Sequence, residues 1–273
     1  QWISEKAMEL GVDIFPGFPA QKYLTDESGR VIGIATGDMG IDKEGNQKGT
    51  YTPGMDILAK QTIFAEGARG HLGKKLIKEF NLDEGKTPQH FAIGFKEVWE
   101  VDNDKHSPGD VVHSMGWPLK GGTSGGGFLY HFDNNRIAVG LIVDLNYSNP
   151  SHSPFQEFQQ FKQHPSIKQY LESGKRVSYG ARAITKGGIN SLVKMEFDGG
   201  MIVGCDAGTL NPSKIKGSHC ALQSGILAAE YTNKVLSEEN CDFDDLFKSS
   251  ALYKELYESR NFSAAMHKFG FYL

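Results

Sequence analysis

The stretch Gly199–Glu230, GGMIVGCDAGTLNPSKIKGSHCALQSGILAAE, predicts a short apolar strand, a loop rich in glycine and proline, and then a long helix. Asp206 lies where the strand ends, and the helix begins near Ser218. This order places a carboxylate and the amino end of a helix around one small volume. A carboxylate can bind sugar hydroxyls, and helix amides can face an electron-rich ring. The stretch therefore predicts part of a site for a nucleotide cofactor.

The composition is that of an ordinary folded protein, with 39% hydrophobic and 23% charged residues in a chain of 273. The formal net charge of −4 gives no electrostatic support for binding nucleic acid. The three cysteines, Cys205, Cys220 and Cys241, form no CxxC pair, which favours a reducing compartment over a disulfide framework. No apolar run approaches the roughly 18 residues that suggest a membrane-spanning helix. The histidines lack metal-binding spacing, so we expect no metal site.

The order of apolar patterns predicts the domain organisation. Residues 2–10 have helical spacing, Val12–Phe18 reads as a short strand, and a second strand, Gln61–Ala65, leads into a helix that ends near Phe80. Residues 91–147 alternate as antiparallel strands do, and residues 154–173 are helical. We therefore predict an α/β fold of mixed α+β character. Its split, Rossmann-like cofactor domain (residues 1–85 and 186–273) is interrupted by an antiparallel β-sheet domain (residues 86–185).

Three segments in this framework are candidate binding sites. Glu66-Gly67-Ala68-Arg69-Gly70 joins a strand to a helix, where amides and Arg69 could meet a phosphate; the alternative is a plain turn with a solvent-facing arginine. The glycine-dense run Gly121–Phe128 could let the backbone approach a flat ligand; the alternative is a mobile surface loop. The amides at Gly217 could stabilise an anionic ring, and the alternative is a simple N-cap at Ser218; for Asp206 the alternative to ligand binding is a capping or turn role.

Read together, these segments resemble the electron transfer flavoprotein–ubiquinone oxidoreductase family. The resemblance rests on segments that run in family order from about residue 60 to 260: FAEGARGHLGKKL, PQHFAIGFKEVWEV, GWPL with SGGGFLYH, HPSIKQYLESGKRVSYGARAI, and the 199–230 stretch. The geranylgeranyl reductase-like flavoproteins would account for GARG and GCDAG, but not for HPSIKQYLESGKRVSYGAR. The collinear order is more specific than any single motif.

The resemblance implies a flavin-dependent quinone oxidoreductase that takes electrons from electron transfer flavoprotein and passes them through FAD to ubiquinone. The FAD-binding parts would be residues 1–85 and 186–273, the latter with the start of a C-terminal region, and residues 86–185 would bind ubiquinone. A family member associates peripherally with the inner membrane, on the bacterial cytoplasmic or mitochondrial matrix face. The positions implied to meet FAD are Gly67, Arg69, Gly70, Asn190, Gly204, Asp206, Gly217, Ser218 and His219. Those implied to line the quinone site are Gly125, Gly126, Gly127 and Phe128.

The chain also departs from the family pattern. It has no G-x-G-x-x-G fingerprint and no four-cysteine set for the [4Fe–4S] cluster that the family carries, so we expect cluster ligands only in a full-length parent. Ser124 stands where an aromatic residue is expected before the glycine pair. These departures suggest a central fragment that is inactive alone and binds FAD poorly. Two alternatives stay open: another FAD-dependent reductase or hydroxylase of the geranylgeranyl reductase-like group, and a non-catalytic quinone-binding module.

Overall fold

The computed structural model describes residues 2–119 and 122–269, and these contain both helices and strands. In chain order these are α1 Trp2–Glu9, β1 Ala20–Thr25, β2 Val31–Thr36, β3 Met39–Ile41, β4 Gln47–Thr52, β5 Asp56–Leu58, β6 Thr62–Phe64, α2 Gly73–Glu79, β7 Phe91–Glu100, β8 Val111–Met115, β9 Gly125–Phe132, β10 Arg136–Asp144, α3 Pro154–Gln163, α4 Pro165–Leu171, β11 Lys175–Thr185, β12 Glu196–Phe197, β13 Gly200–Ile202, α5 Gly204–Ala207, α6 Ser218–Leu236, α7 Phe243–Lys248, α8 Ala251–Glu258 and α9 Phe262–Phe269.

The chain divides into two compact units. One unit contains residues 1–64 and 196–201, and the other contains residues 65–195 and 202–273. The first unit is built mainly of short strands, ordered β1-β2-β5 in one sheet, β3-β4 in a second and β12-β13-β6 in a third. Within it, the Val31 amide donates to the Asp198 carbonyl, and the Arg30 side chain pairs with the Asp198 carboxylate. The boundaries predicted at residues 85 and 185 separate the FAD-binding parts from the quinone-binding part, and they stay a prediction.

The second unit is organised around a five-stranded antiparallel sheet ordered β11-β7-β10-β9-β8. Successive side chains of a strand point to opposite faces, so alternate residues of each strand lie on the two sides of this sheet. Leu129, Ile137, Val139, Leu141 and Val143 form a buried core with residues of α3 and α4. The other face carries smaller and polar residues, and it lines a cavity. The sheet thus separates a structural core from a candidate binding surface.

Helices α3 and α4 are defined by local capping signals. Ser153 and His164 each accept a hydrogen bond from a backbone amide in the first turn of the helix that follows, and each helix begins with proline. Phe158 and Phe161 of α3 are then fully buried against the sheet. Phe158 also stacks on Phe95 of β7, with ring centroids 6.0 Å apart. Local signals therefore position the two helices, and burial of aromatic rings holds them on one face of the sheet.

Most of the predicted elements are confirmed, including the antiparallel sheet in 91–147, the helices in 154–173 and the strand that precedes α2. The strand expected at Val12–Phe18 is wrong, since these residues form irregular structure and a turn. Pro16 and Pro19 cannot donate a backbone hydrogen bond, which disfavours strand pairing there. The reading of the glycine run as a mobile loop is also wrong for its second half, because Gly125–Gly127 belong to β9. Gly121 lies outside the described residues.

Candidate functional site

A large cavity in the second unit has a volume of about 950 Å³ and a mainly apolar lining. One wall is the sheet face that points away from α3 and α4. The opposite wall comes from the loop that leads into α6 and from the first turns of α5 and α6. The residues that line it from the sheet include Gly94, Lys96, Gly126, Phe128, Tyr130, Ile142, Gly180 and Arg182. A space of this size and character is typical of a site for a small molecule or cofactor.

The glycines of β9 shape the sheet wall of this cavity. Gly125 and Gly126 pair with Val143 and Ile142 of β10. A Cβ atom on Gly125 would overlap the Ile142 carbonyl, and one on Gly127 would overlap the ring of Phe161. The glycines are therefore required by close packing of neighbouring strands and of α3. The cavity is lined by Gly125, Gly126, Gly127 and Phe128. These four residues were predicted from the sequence for one site, and the fold places them together.

A tight loop holds the opposite wall of the cavity in place. The amide of Asn211 donates to the carbonyl of Lys216, and the Asn211 side chain accepts hydrogen bonds from Ser213 and Lys214. The Glu255 carboxylate of α8 then receives hydrogen bonds from Asn211, Lys214 and His219. Burial opposes ionisation of Glu255, but these three donors outweigh it and lower its pKa to about 2. One charged residue thus anchors both the loop and the start of α6.

His219, Cys220 and Glu255 bring three possible ligand atoms within 4.8 Å of one another. The Glu255 carboxylate is already in contact with the Lys214 ammonium at 3.1 Å and with the His219 ring at 2.9 Å. A cation bound there would be repelled by Lys214 and would displace these hydrogen bonds. The cluster is better explained as an anchor for the loop than as a metal centre.

Three polar side chains form a continuous line along one side of the cavity. The Lys216 ammonium lies 2.9 Å from the Tyr130 hydroxyl, which lies 3.0 Å from Nε2 of His113. The Lys216 Nζ atom is also 5.2 Å from the centroid of the Tyr130 ring, and Phe128 stacks on the same ring at 4.7 Å. All four residues line the cavity. Sequence reasoning missed this line, because its members are far apart in the chain.

The single turn of α5 separates two neighbouring residues onto different sides. Cys205 lines the large cavity, and burial raises the pKa of its thiol. The Asp206 side chain lines a second cleft of about 340 Å³ together with Arg69, Lys74 and Gln89. Neighbouring residues of a helix differ in direction by about 100°. Cys205 reaches the large cavity, while Asp206 lies at the second cleft.

Asp206 is held against the start of α2. Its Oδ1 accepts a hydrogen bond from the Gly70 amide at 3.1 Å, while Oδ2 is buried and has no partner among the described residues. A Cβ atom on Gly73 would overlap this carboxylate. Burial, with the nearby Glu66 charge, raises the pKa of Asp206 to about 6. Glu66 accepts hydrogen bonds from the Leu72 and Gly73 amides. Amides at the start of α2, near which a phosphate site was predicted, therefore already donate to protein carboxylates.

The remaining residues predicted to bind the cofactor lie in several separate places. Gly217 and Ser218 line the large cavity, whereas Arg69 lines the second cleft. The side-chain amide of Asn190 donates to the Arg260 carbonyl, and His219 is bonded to Glu255. Gly67 lies in the turn before α2 with a positive φ of 87°, and Gly204 begins α5 with a φ of 63°. The structure thus brings together at one cavity the four residues predicted for a quinone site, and only part of the predicted FAD set.

The chain matches known proteins over nearly its whole length. Residues 91–184 match the family model described as ETF-QO, ubiquinone-binding, and this range corresponds to β7 through most of β11. The electron transfer flavoprotein-ubiquinone oxidoreductase of Pseudomonas aeruginosa is 58% identical over 99% of this chain and 50% of its own length. The mitochondrial protein of that name from Homo sapiens is 46% identical over 97% of this chain and 45% of its own length.

The chain belongs to the electron transfer flavoprotein-ubiquinone oxidoreductase family. It spans about half the length of these curated family relatives. The family resemblance found in the sequence is thereby confirmed. The large cavity and its glycine wall lie in and beside the region that matches the ubiquinone-binding model.

Solved structures support the fold class. A geranylgeranyl bacteriochlorophyll reductase-like protein from Thermoplasma acidophilum superposes with a TM-score of 0.73, at 17% identity, over 97% of this chain and 62% of its own. A flavoprotein/dehydrogenase from Cytophaga hutchinsonii gives a TM-score of 0.65 at 16% identity, over 97% of this chain and 60% of its own. At such identities the likeness concerns the fold alone. The mixed α/β fold with antiparallel sheets is confirmed.

Proposed function

We propose that this chain forms the quinone-reducing part of an electron transfer flavoprotein–ubiquinone oxidoreductase. The observation that carries the proposal is the cavity of about 950 Å³, bounded by the sheet of the ubiquinone-binding match and by the amino end of α6. On this proposal electrons enter from electron transfer flavoprotein and leave on ubiquinone. No side-chain nucleophile is required, since the residues bind and orient the redox partners. The finer fold assignment, a split FAD-binding domain around a quinone domain, belongs to the same proposal.

The residues around the cavity fit the ring end of FAD. Gly217, the N-cap of the 19-residue helix α6, makes no side-chain cap, and both Gly217 and Ser218 line the cavity. Their amides and the positive end of the helix dipole suit an anionic ring. Cys205 and Ala221 add a compact, largely apolar border. When bound, the flavin supplies the electrons for quinone reduction. The roles of Gly67, Arg69, Gly70, Asn190, Gly204, Asp206 and His219 in FAD binding remain proposals.

A [4Fe–4S] cluster does not fit this chain. Such a cluster takes four cysteine thiolates, whereas the chain has three cysteines, which are free thiols. Cys220 is buried beside His219 and Lys216, so it serves packing and the loop anchor. We therefore assign no electron-transfer step to these sulfur atoms.

The quinone would lie along β9, where the glycine backbone permits close approach. Gly126 and Phe128 place a flat backbone surface and an aromatic ring on the same face of the sheet. A glycine amide in this region would donate a hydrogen bond to a quinone carbonyl. The apolar lining would exclude water from the reacting ring.

Gly180→Val tests this use of the cavity. Gly180 lines the cavity from β11, and a Cβ atom there meets no other atom within 4 Å, so the larger side chain fills the cavity without straining the backbone. We expect at least a tenfold loss of ubiquinone-1 reduction by reduced electron transfer flavoprotein, measured in the full-length protein that carries this chain. Tenfold corresponds to about 1.4 kcal/mol of lost transition-state stabilisation.

The matched control is Gly49→Val, because Gly49 also lies in a strand with open space at its Cβ position and does not line the cavity. Equal activity in the two variants would contradict the assignment of the cavity. A wild-type protein that oxidises another substrate but not reduced electron transfer flavoprotein would favour a different flavin reductase or hydroxylase. Quinone binding with no turnover would favour a non-catalytic module.

We also propose a peripheral membrane contact at the edge strand β8. Val111, Met115 and Trp117 expose 60%, 59% and 46% of their surfaces there, and Met115 also lines the cavity. No helix within the described residues is long and apolar enough to cross a bilayer. An apolar edge beside the cavity would let a lipid-soluble quinone enter from the membrane, with Trp117 at the interface. The membrane face would be the one implied by the family, cytoplasmic or matrix.

Liposome flotation of the protein tests this contact. Met115→Asp should lower the membrane-bound fraction severalfold, because it places a charge in the apolar edge. Ile226→Asp is the control, since Ile226 is an equally exposed aliphatic residue (67%) on α6. Loss of flotation in both variants to the same extent would place the contact elsewhere or show that it is nonspecific.

A further inference from the structure

The line of His113, Tyr130 and Lys216 has a defined hydrogen-bond direction. A lysine ammonium can only donate, so the Tyr130 oxygen accepts from Lys216 at 2.9 Å. The single hydroxyl proton of Tyr130 is then free to be donated to Nε2 of His113 at 3.0 Å. This direction requires the His113 tautomer that carries its proton on Nδ1. The phenol oxygen is thus the central atom between a cation and an exposed imidazole.

The three residues differ in exposure in a way that suits proton movement. His113 lies on the edge strand β8 and is exposed, whereas Tyr130 is partly buried and is stacked between Phe128 and the Lys216 side chain. All three line the cavity that the proposed function assigns to the quinone. A proton taken from water at His113 can therefore reach the cavity without crossing its apolar walls.

Reduction of a quinone to a quinol needs two protons as well as two electrons, so a quinone bound in this cavity requires a proton donor within reach. We infer that Tyr130 is the proton donor to the bound quinone, that Lys216 stabilises its phenolate, and that His113 returns the proton from solvent. The inference rests on the proposed function and names the residues that carry protons in it. The Lys216 ammonium lies 2.9 Å from the oxygen on which negative charge would develop after donation.

The Tyr130 O–H bond breaks and an O–H bond forms on a quinone oxygen, while the reduced flavin supplies the electrons. The Tyr130 phenolate then takes a proton from the His113 imidazolium, which had gained it from water. The line delivers the proton for the quinone oxygen that faces Tyr130, and the oxygen at the opposite end of the ring takes its proton from solvent. Lys216 keeps its charge throughout, because its role is electrostatic.

Other ionisable groups line the same cavity, namely Lys96, Arg182, Lys214 and Cys205. Lys214 is engaged with Glu255, and burial raises the pKa of the Cys205 thiol. Arg182 keeps its proton under all ordinary conditions. Unlike these groups, Tyr130 is hydrogen-bonded both to the Lys216 ammonium and to the exposed imidazole of His113.

Tyr130→Phe tests the inference because it removes one oxygen and keeps the ring. With reduced electron transfer flavoprotein and ubiquinone-1, we expect kcat to fall by about 10²-fold, in the lower range for loss of a general acid. KM should change by less than threefold, and the solvent deuterium isotope effect of the residual reaction should differ from that of wild type. Tyr179→Phe is the matched control, since Tyr179 is 79% exposed on β11 and does not line the cavity. Lys216→Arg should retain more activity than Lys216→Met.

A readout that needs no turnover comes from ¹⁵N NMR of the His113 ring. Tyr130→Phe should shift the Nε2 resonance in the ligand-free protein, and Tyr179→Phe should leave it unchanged. Wild-type quinone reduction with unaltered kcat in Tyr130→Phe would overturn the proton role while leaving the proposed function intact. Absence of quinone reduction by the wild-type protein would overturn the proposed function and this role with it. An unmoved His113 resonance would refute the hydrogen-bonded line itself.

Discussion

Lys162→Met should lower the free energy of unfolding by about 3–5 kcal/mol, because it leaves a buried carboxylate without its main partner. Lys162 of α3 and Glu97 of β7 expose only 9% and 3% of their surfaces. The Lys162 ammonium lies 3.0 Å and 2.9 Å from the two Glu97 oxygens, which also accept from Arg176 and Trp99. Burial opposes ionisation of Glu97, but these donors outweigh it and lower its pKa. The methionine side chain keeps the volume and removes the charge.

Urea unfolding at neutral pH measures this effect. Lys168→Met is the control, since Lys168 of α4 pairs with Glu172 at 3.8 Å with both side chains about half exposed or more, and its loss should cost less than about 1 kcal/mol. Because the pKa of Glu97 is lowered in the folded state, its contribution is present above its ordinary value of 4.5 and is lost as the pH falls below it. The difference between wild type and Lys162→Met should therefore shrink in acid. Equal losses in both lysine variants would show that the buried pair adds nothing.

The sequence predicted those elements whose signals are local. Residues 154–173 carry helix caps and prolines at the right positions, and both helices formed where expected. The alternation in residues 91–101 predicted β7 and its two faces. The same pattern could not reveal that Glu97, at a buried position, meets Lys162 on a later helix. Pairing over 65 positions depends on how the helix packs, and no short-range periodicity encodes it.

The candidate site shows the same limit. The sequence identified Gly125–Phe128 as lining residues from their composition, and the fold places them on one wall. It took Gly125–Gly127 for a possible loop, because the atoms that exclude a Cβ belong to Ile142, Ser114 and Phe161, which are distant in sequence. It could not predict that Cys205, the neighbour of Asp206, faces the cavity, since only the packing of α5 decides this. The polar role of Tyr130 could not be predicted, because the partners of its hydroxyl come from β8 and from the loop before α6.

The buried Asp206 leads to an effect of opposite sign, in which removal of a charge stabilises the protein. Burial raises the pKa of this carboxyl from its ordinary value of 3.8 to about 6, so folding favours its protonated form. Its favourable contribution is fully present below pH 3.8 and is lost as the pH rises through about 6. Asp206→Asn keeps an oxygen for the Gly70 amide and removes the buried charge. At pH 8 we expect the variant to be more stable than wild type by about 1–3 kcal/mol, given 1.36 kcal/mol per pKa unit.

Chemical denaturation at pH 5 and pH 8 tests this prediction. The advantage of Asp206→Asn should be large at pH 8 and smaller at pH 5, where protonation already relieves much of the cost in the wild-type protein. Asp56→Asn, at an exposed position on β5, should behave like wild type at both pH values. A variant that is destabilised equally at both would show that Oδ2 has a partner and that its charge is compensated. Stabilisation seen only at pH 8 would mean that the fold retains a carboxylate whose charge lowers its stability. Asp206 and Arg69 both line the second cleft, so binding of a sugar or phosphate ligand to this cleft can then be tested.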